Sequence, residues 1–146
     1  MGIPDADVPD IAQDVFIILR EKLALVQSTA ALRPFIYGIA LREASDHRRS
    51  ARVRRETLAK PVPEQTIEAP QEEELQKIRA HALLQSAVNR LDDDKRAVFV
   101  LYELEELSMP EVVAVVNCPL QTAYSRLHAA RRIVAEVFER AERNTR

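Results

Sequence analysis

Apolar residues recur along this chain at intervals of three and four, and no segment alternates apolar and polar positions as a half-buried strand would. The pattern predicts helices throughout. In residues 1–55, Asp10 can begin a helix near Ile11, with Ile11, Val15, Ile18 and Leu19 on one face and Phe16 and Leu23 beside it. Residues 25–33 read as a break. A second helix is expected from about Pro34, a suitable first-turn residue, burying Phe35, Ile36, Ile39 and Ala40 before it turns basic. Residues 56–70 contain Pro61, Pro63 and Pro70 and no apolar period, so they read as a flexible linker. From residue 71, Gln71 and Glu72 to Glu74 suit a helix N-terminus, and Leu75, Ile78, Leu83 and Leu84 continue it to Leu91. Asp92, Asp93 and Asp94 open a further helix bearing Val98, Phe99, Leu101, Tyr102 and Leu104.

The densest information lies in residues 107–132, LSMPEVVAVVNCPLQTAYSRLHAARR. Ser108 and Glu111 have the spacing of a capping box, and Pro110 falls in a first turn, where a missing N–H costs little. Val112, Val113, Val115 and Val116 supply an apolar face, and Asn117-Cys118-Pro119 breaks the helix. A second helix then runs from about Leu120 towards Arg140, exposing Gln121, Thr122, Tyr124, Ser125, Arg126, His128 and Arg131 on its early turns. Two helices joined by a tight turn, the second polar and basic, form a helix-turn-helix signature. Gln121, Ser125 and His128 share one row and Tyr124, His128 and Arg131 another, so either could enter a major groove, where amides and hydroxyls meet base edges and Arg pairs with guanine or phosphate. A helical hairpin with a solvated polar face fits the same pattern. The expected architecture is all-α: two small helical domains, 1–55 and 71–146, joined by the Pro-rich linker 56–70, the second a four-helix domain with a helix-turn-helix.

Composition narrows the function. Hydrophobic residues make up 47% of 146, enough for packed cores, while only two glycines and no Trp are present. The net charge of −2, from 21 basic and 23 acidic residues, argues against indiscriminate coating of nucleic acid. The charge is uneven, however: residues 42–55, REASDHRRSARVRR, hold six arginines against Glu43 and Asp46. That run is either a phosphate-binding stripe or a solvated helix end favoured by the macrodipole. Cys118 is the one cysteine, which excludes an internal disulfide and a multi-cysteine zinc site and suits a small buried turn residue. His47, His81 and His128 lie apart without paired acids, and no Gly-rich phosphate loop exists, so no catalytic residues, cofactor or metal are expected. No apolar run of about 18 residues could cross a bilayer and no signal peptide precedes the first helix, so the expected location is the cytoplasm, without membrane insertion.

These segments together resemble a bacterial sigma factor of the extracytoplasmic-function class. DADVPDIAQDVFIILREKL (residues 5–23) resembles the helix by which such factors grip the clamp helices of the largest RNA polymerase subunit. FIYGIALREASDHRRSARVRRE (residues 35–56) is similar to the helix that melts and reads the minus-ten promoter element, with Phe35 where the family usually has Trp. LDDDKRAVFVLYELEELSMPEVVAVVNCPLQTAYSRLHAAR (residues 91–131) is similar to the domain that reads the minus-thirty-five element. The three stand in the family's order, separated by a Pro-rich segment.

The resemblance implies core RNA polymerase, promoter DNA and an anti-sigma factor as partners, with the phosphodiester chemistry left to polymerase. It places Asp10, Gln13, Asp14 and Phe16 on the polymerase-gripping motif, although as a free helix these could equally be solvated polar residues around a core Phe. Residues 25–31 match the loop that holds a base flipped from the non-template strand, at an unstacking cost of a few kcal/mol. Arg42, His47, Arg48 and Arg49 would flank that strand; Arg42 stands where the family often has Asn, so base preference does not carry over. Tyr124, Ser125, His128 and Arg131 match promoter-contacting positions, with Tyr124 replacing a frequently basic residue. Two readers on one chain make the second contact intramolecular, so each alone can be weak. Members of the class carry further helices ahead of the gripping helix. Their absence leaves Ile11, Ile18, Ile36 and Ile39 without an obvious third wall, so residues 1–55 are expected to be loosely packed. A shortened start also fits an interaction protein that binds an anti-sigma factor or polymerase without opening promoters. A dimeric helix-turn-helix repressor would give the first segment no purpose.

Overall fold

The computed structural model describes residues 3–55 and 72–145. Six α-helices account for most of them, and no strand occurs among the described residues: α1 (Val8–Lys22), α2 (Thr29–Arg55), α3 (Glu72–Asn89), α4 (Asp93–Phe99), α5 (Met109–Val116) and α6 (Leu120–Thr145). The proposed linker 56–70 lies outside the described residues.

The C-terminal module is built around α6. Its apolar positions Ala123, Leu127, Ala130 and Val137 fall at helical spacing and are buried. Against Ala123, Leu127 and Ala130 pack Val88 of α3 and Leu91 just after it, Val98, Phe99, Val100 and Leu101 of α4 and its extension, and Met109 and Val112 of α5, forming one core. Local chemistry sets each helix start. The Asp92 side chain accepts from the Lys95 backbone N–H at 2.9 Å, an N-cap for α4. At α5 the Glu111 carboxylate accepts from the Ser108 backbone N–H at 2.8 Å and from its hydroxyl at 2.6 Å. These bonds hold the Glu111 carboxyl below its ordinary range.

Two features of this module depart from a simple helical period. After Phe99 the chain widens into a π-helical turn, Val100–Leu104, which leaves Leu104 exposed while Val100 and Leu101 stay buried. Arg96, which the sequence pattern did not single out, is buried: it donates from Nε to the Val88 carbonyl at 3.1 Å and from Nη2 to the carbonyls of Asn89 at 3.2 Å and Leu91 at 2.6 Å. It thereby satisfies the carbonyls that the end of α3 leaves without helical partners. In α3 the early apolar residues contribute less than expected. Ile78 is exposed, and the buried residues are Ala87 and Val88 near its end.

The N-terminal pair differs from its sequence expectation in three places. Helix α1 begins at Val8, with Pro9 in its first turn, so Asp10 is already helical. Helix α2 begins at Thr29, and Pro34 sits inside it. Ser28 ends the break by accepting from the Ala31 N–H at 3.3 Å, and Ala30, Ala31 and Leu32 are favourable enough formers to start the helix before Pro34. The break is therefore a short 3-10 turn, Leu23–Leu25, followed by residues 26–28, and residues 29–31 of the expected base-holding loop lie in the first turn of α2. The third departure concerns packing. Helices α1 and α2 pair, with His47 Nε2 3.4 Å from Asp7 Oδ2, and α2 also packs on α5. Tyr37 and Leu41 rest against the C-terminal core, so the third wall expected to be missing is supplied from within the chain.

Candidate nucleic-acid and polymerase interfaces

Helix α5, the turn and α6 form the helix-turn-helix. Asn117 adopts the left-handed conformation (φ 49°), which Asn tolerates better than most residues, and its N–H closes α5 on the Val113 carbonyl at 2.9 Å. Cys118 is half-buried and free. With Ala123 and Leu127 turned into the core, Gln121, Tyr124, Ser125 and His128 are left exposed on the opposite side. Tyr124 is 49% exposed, a large aromatic surface at the leading end of the helix. Thr122 is half-buried.

The two arginines of this group have partners inside the molecule. The Arg126 guanidinium donates to the Asp94 carboxylate of α4, and its side chain is only 26% exposed. Arg131 Nε donates to Glu103 Oε1 at 2.5 Å and its guanidinium lies 5.8 Å from the centre of the Tyr102 ring. Arg131 keeps half of its side chain in solvent; Arg126 anchors α6 to α4 instead.

The basic half of α2 divides the same way. Arg42 and Arg49 are exposed. Arg48 is 17% exposed and pairs with Asp93 of α4 at 3.1 Å, and His47 turns towards α1 and Asp7. The four residues therefore do not form one open strand-binding row in this arrangement. An open groove of about 710 Å³ separates α2 from α5, lined among others by Phe35, Ile39, Arg42, Pro110 and Val115.

Arg33 and Tyr37 were missed in the sequence reading. One helical turn apart, they converge on Glu105: Arg33 Nη2 donates to its backbone carbonyl at 2.6 Å, and the Tyr37 hydroxyl donates to its carboxylate. Burial and the neighbouring carboxylate push the Tyr37 hydroxyl above its ordinary pKa. Their i, i+4 spacing was the available signal; their partner is 68 to 72 residues away.

On α1, Asp10, Gln13, Asp14 and Phe16 are all exposed while Val15 turns inward. Phe16, at 69% exposure, is a large unsheltered apolar side chain and is not the core residue that a solvated-helix reading requires. No cluster of three or more metal-ligating side chains occurs among the described residues, and no helix among them is long and apolar enough to cross a membrane.

Comparison with known proteins gives a consistent picture. Residues 81–134 match the family model described as sigma-70, region 4. The chain is 29% identical over 135 residues to the RNA polymerase sigma factor NccH of Alcaligenes xylosoxydans xylosoxydans, spanning 89% of this chain and 72% of that protein. It is 27% identical over 146 residues to the ECF RNA polymerase sigma-E factor of Escherichia coli K12, spanning 90% and 74%. The fold is similar to that of the sigma factor RpoE in its complex with the anti-sigma factor NepR from Bartonella quintana. The TM-score is 0.70 at 20% identity, over 92% of this chain and 82% of that one. It is also similar to CnrH in complex with the cytosolic domain of CnrY, with TM-score 0.64 at 22% identity over 94% and 75%.

Proposed function

The chain belongs to the RNA polymerase sigma factors of the extracytoplasmic-function class, and from that premise we propose how its helices divide the work of promoter recognition. It binds core polymerase in the cytoplasm and directs it to specific promoters, supplying recognition while polymerase supplies the chemistry. Residues 71–146 form the unit that reads the minus-thirty-five element. Residues 1–55 form the unit that engages polymerase and the minus-ten element. The observation that carries this reading is the exposed row Gln121, Tyr124, Ser125 and His128 on a helix whose opposite side is locked into the core. Such a row presents amide, hydroxyl, imidazole and aromatic groups to base edges at fixed spacing. Arg131, at the end of the row, is a phosphate contact, and Arg42 and Arg49 contact the backbone of the separated strand. Asp10, Gln13, Asp14 and Phe16 offer polymerase an acidic and apolar face. An anti-sigma factor is the second protein partner, and the apolar groove between α2 and α5 is a surface open to it.

Run-off transcription with core polymerase on a genomic promoter library tests this. Discrete start sites that depend on the chain are expected, and Arg131→Ala should weaken promoter binding across sequences and reduce the salt slope by about one unit. Core binding without discrete starts would overturn the promoter-reading role, and an unchanged affinity and slope would remove Arg131 from the interface.

A further inference from the structure

The exposed face of α6 runs further along the helix than its first turns. At about 100° per residue, Gln121, Ser125, His128 and Arg132 fall within an arc of about 60°, and all four are exposed. Tyr124, His128 and Arg131 follow the adjoining edge of the same face. Each row therefore ends in an arginine. From Gln121 to Arg132 the helix rises roughly 16 Å, more than the ~12 Å width of a major groove. With the leading turns of α6 among base edges, a side chain that far along meets the sugar-phosphate backbone at the rim of the groove, where a guanidinium pairs with phosphate oxygens. Arg126 stands elsewhere. It lies about 130° from the middle of the row ending in Arg132, on the side of Ala123 and Ala130, both 0% exposed. Its guanidinium donates to the Asp94 carboxylate in the first turn of α4, and α4 packs on α6.

We propose that Arg132 is a phosphate contact of the reading helix, and that Arg126 with Asp94 positions that helix without touching DNA. The inference rests on the promoter-reading role proposed above. Small residues such as Ala123 and Ala130 let two helices approach closely but leave the roll of one on the other weakly specified. A directional, charge-assisted bond between Arg126 and Asp94 removes that freedom and fixes which way Gln121, Ser125 and His128 face. An acid of α4 thus contributes to base discrimination from a distance. The two roles leave opposite marks. Losing Arg132 removes a cation from the interface and weakens every sequence alike, whereas losing either Arg126 or Asp94 releases no counterion and blurs the choice between sequences. Neither residue has to move for this to hold, because Arg132 is already exposed and Arg126 is already paired.

The test uses holoenzyme assembled from core polymerase and the full chain. It is bound over a salt series to a promoter found by run-off transcription and to the same duplex with its minus-thirty-five element scrambled. Arg132→Ala should bind both duplexes about fivefold more weakly and lower the salt slope by about one unit, with the ratio between them kept. Arg126→Ala and Asp94→Ala should leave the slope unchanged and lower the ratio about threefold, and the double variant should lose no more than either single one. Asp94→Glu, which keeps the carboxylate, should keep the ratio. A loss of stability alone would weaken both duplexes equally and leave the ratio intact, which would overturn the positioning role. So would a slope lowered by Arg126→Ala, or tighter binding with a steeper slope in Asp94→Ala, since Arg126 would then be a DNA contact restrained by its acid. An unchanged slope in Arg132→Ala would overturn the Arg132 contact. If wild-type holoenzyme does not separate the two duplexes, the promoter-reading role is what fails, and both assignments fall with it.

Discussion

The two halves of this molecule solve the burial problem differently. The C-terminal module closes on itself, with Leu91, Val98, Leu101 and Val112 all but completely removed from solvent by helices within the same 74 described residues. The N-terminal pair buries Val15, Ile39 and Ala44, while Val8, Phe16, Ile17, Leu23 and Leu25 remain in water. Two helices have too few faces to enclose each other, and α2 completes its burial on α5 and the C-terminal core. One half therefore holds its shape by its own packing, and the other depends on contacts that its partners could replace. That difference puts the rigid scaffold under the helix-turn-helix and the adaptable surface on α1 and α2.

The sharpest way to break this comparison is to truncate one apolar side chain on each side of it. Leu101→Ala removes a fully buried side chain from the core and should cost about 2–5 kcal/mol. Phe16→Ala removes a larger side chain that is mostly in water and should change stability by less than about 0.5 kcal/mol. Urea unfolding by circular dichroism reads both. A large loss from Phe16→Ala would mean that α1 packs against something in solution that its exposed face does not meet here.

A smaller effect is expected at Arg96, where the C-terminal module depends on a polar group. Arg96→Met keeps the stem but removes the donors to three carbonyls at the end of α3. A loss of about 1.5–3 kcal/mol is expected, the range for hydrogen bonds to a charged group. Hydrogen exchange should locate it, with protection falling first in the last turn of α3 and around Leu91. A loss spread evenly over α5 would contradict that assignment.

What was legible in the sequence tracks how local the determining contacts are. The capping pair Ser108 and Glu111, Pro110 in the first turn, and the Asn117 break lie within a few residues of one another, and the helix-turn-helix is found where they place it. The same holds for the all-α class, whereas Phe16, expected beside the buried face of α1, is 69% exposed. The structure adds what the sequence does not show where a local signal has two meanings or the partner is remote. Pro34 fits a first turn, yet Ser28 starts α2 earlier. Arg126 and Arg131 both read as exposed residues on the early turns of α6. Only the fold shows that Asp94 and Glu103, 32 and 28 residues away, divide them into an anchored residue and a half-solvated one. Arg48 reads as a DNA contact from its neighbours and is turned to Asp93 by the docking of α2 on the second module, a contact no periodicity encodes.

The smallest expected effect concerns pH and falls on the C-terminal half alone, because both of its short helices are started by ionised acids. The Asp92 carboxyl is held below its ordinary range chiefly by the Lys95 ammonium, then by the Lys95 backbone N–H. The Glu111 carboxyl is lowered by the Ser108 hydroxyl and backbone N–H. A carboxyl with a depressed pKa in the folded state stabilises that state above its unfolded pKa, near 4, and the contribution disappears as pH falls through the folded pKa. Stability of the C-terminal module should therefore be flat from neutral pH down to about 5 and then decline, with α4 and α5 affected and the α1–α2 pair unaffected by these two groups. Asp92→Ala should cost about 1 kcal/mol at neutral pH, the usual value of an N-cap, and should make the acid decline shallower. Thermal melts of wild type and Asp92→Ala between neutral and acid pH measure both effects. Parallel acid declines in the two proteins would show that Asp92 carries no pH-dependent part of the stability and that its cap bonds are made equally well by the protonated side chain.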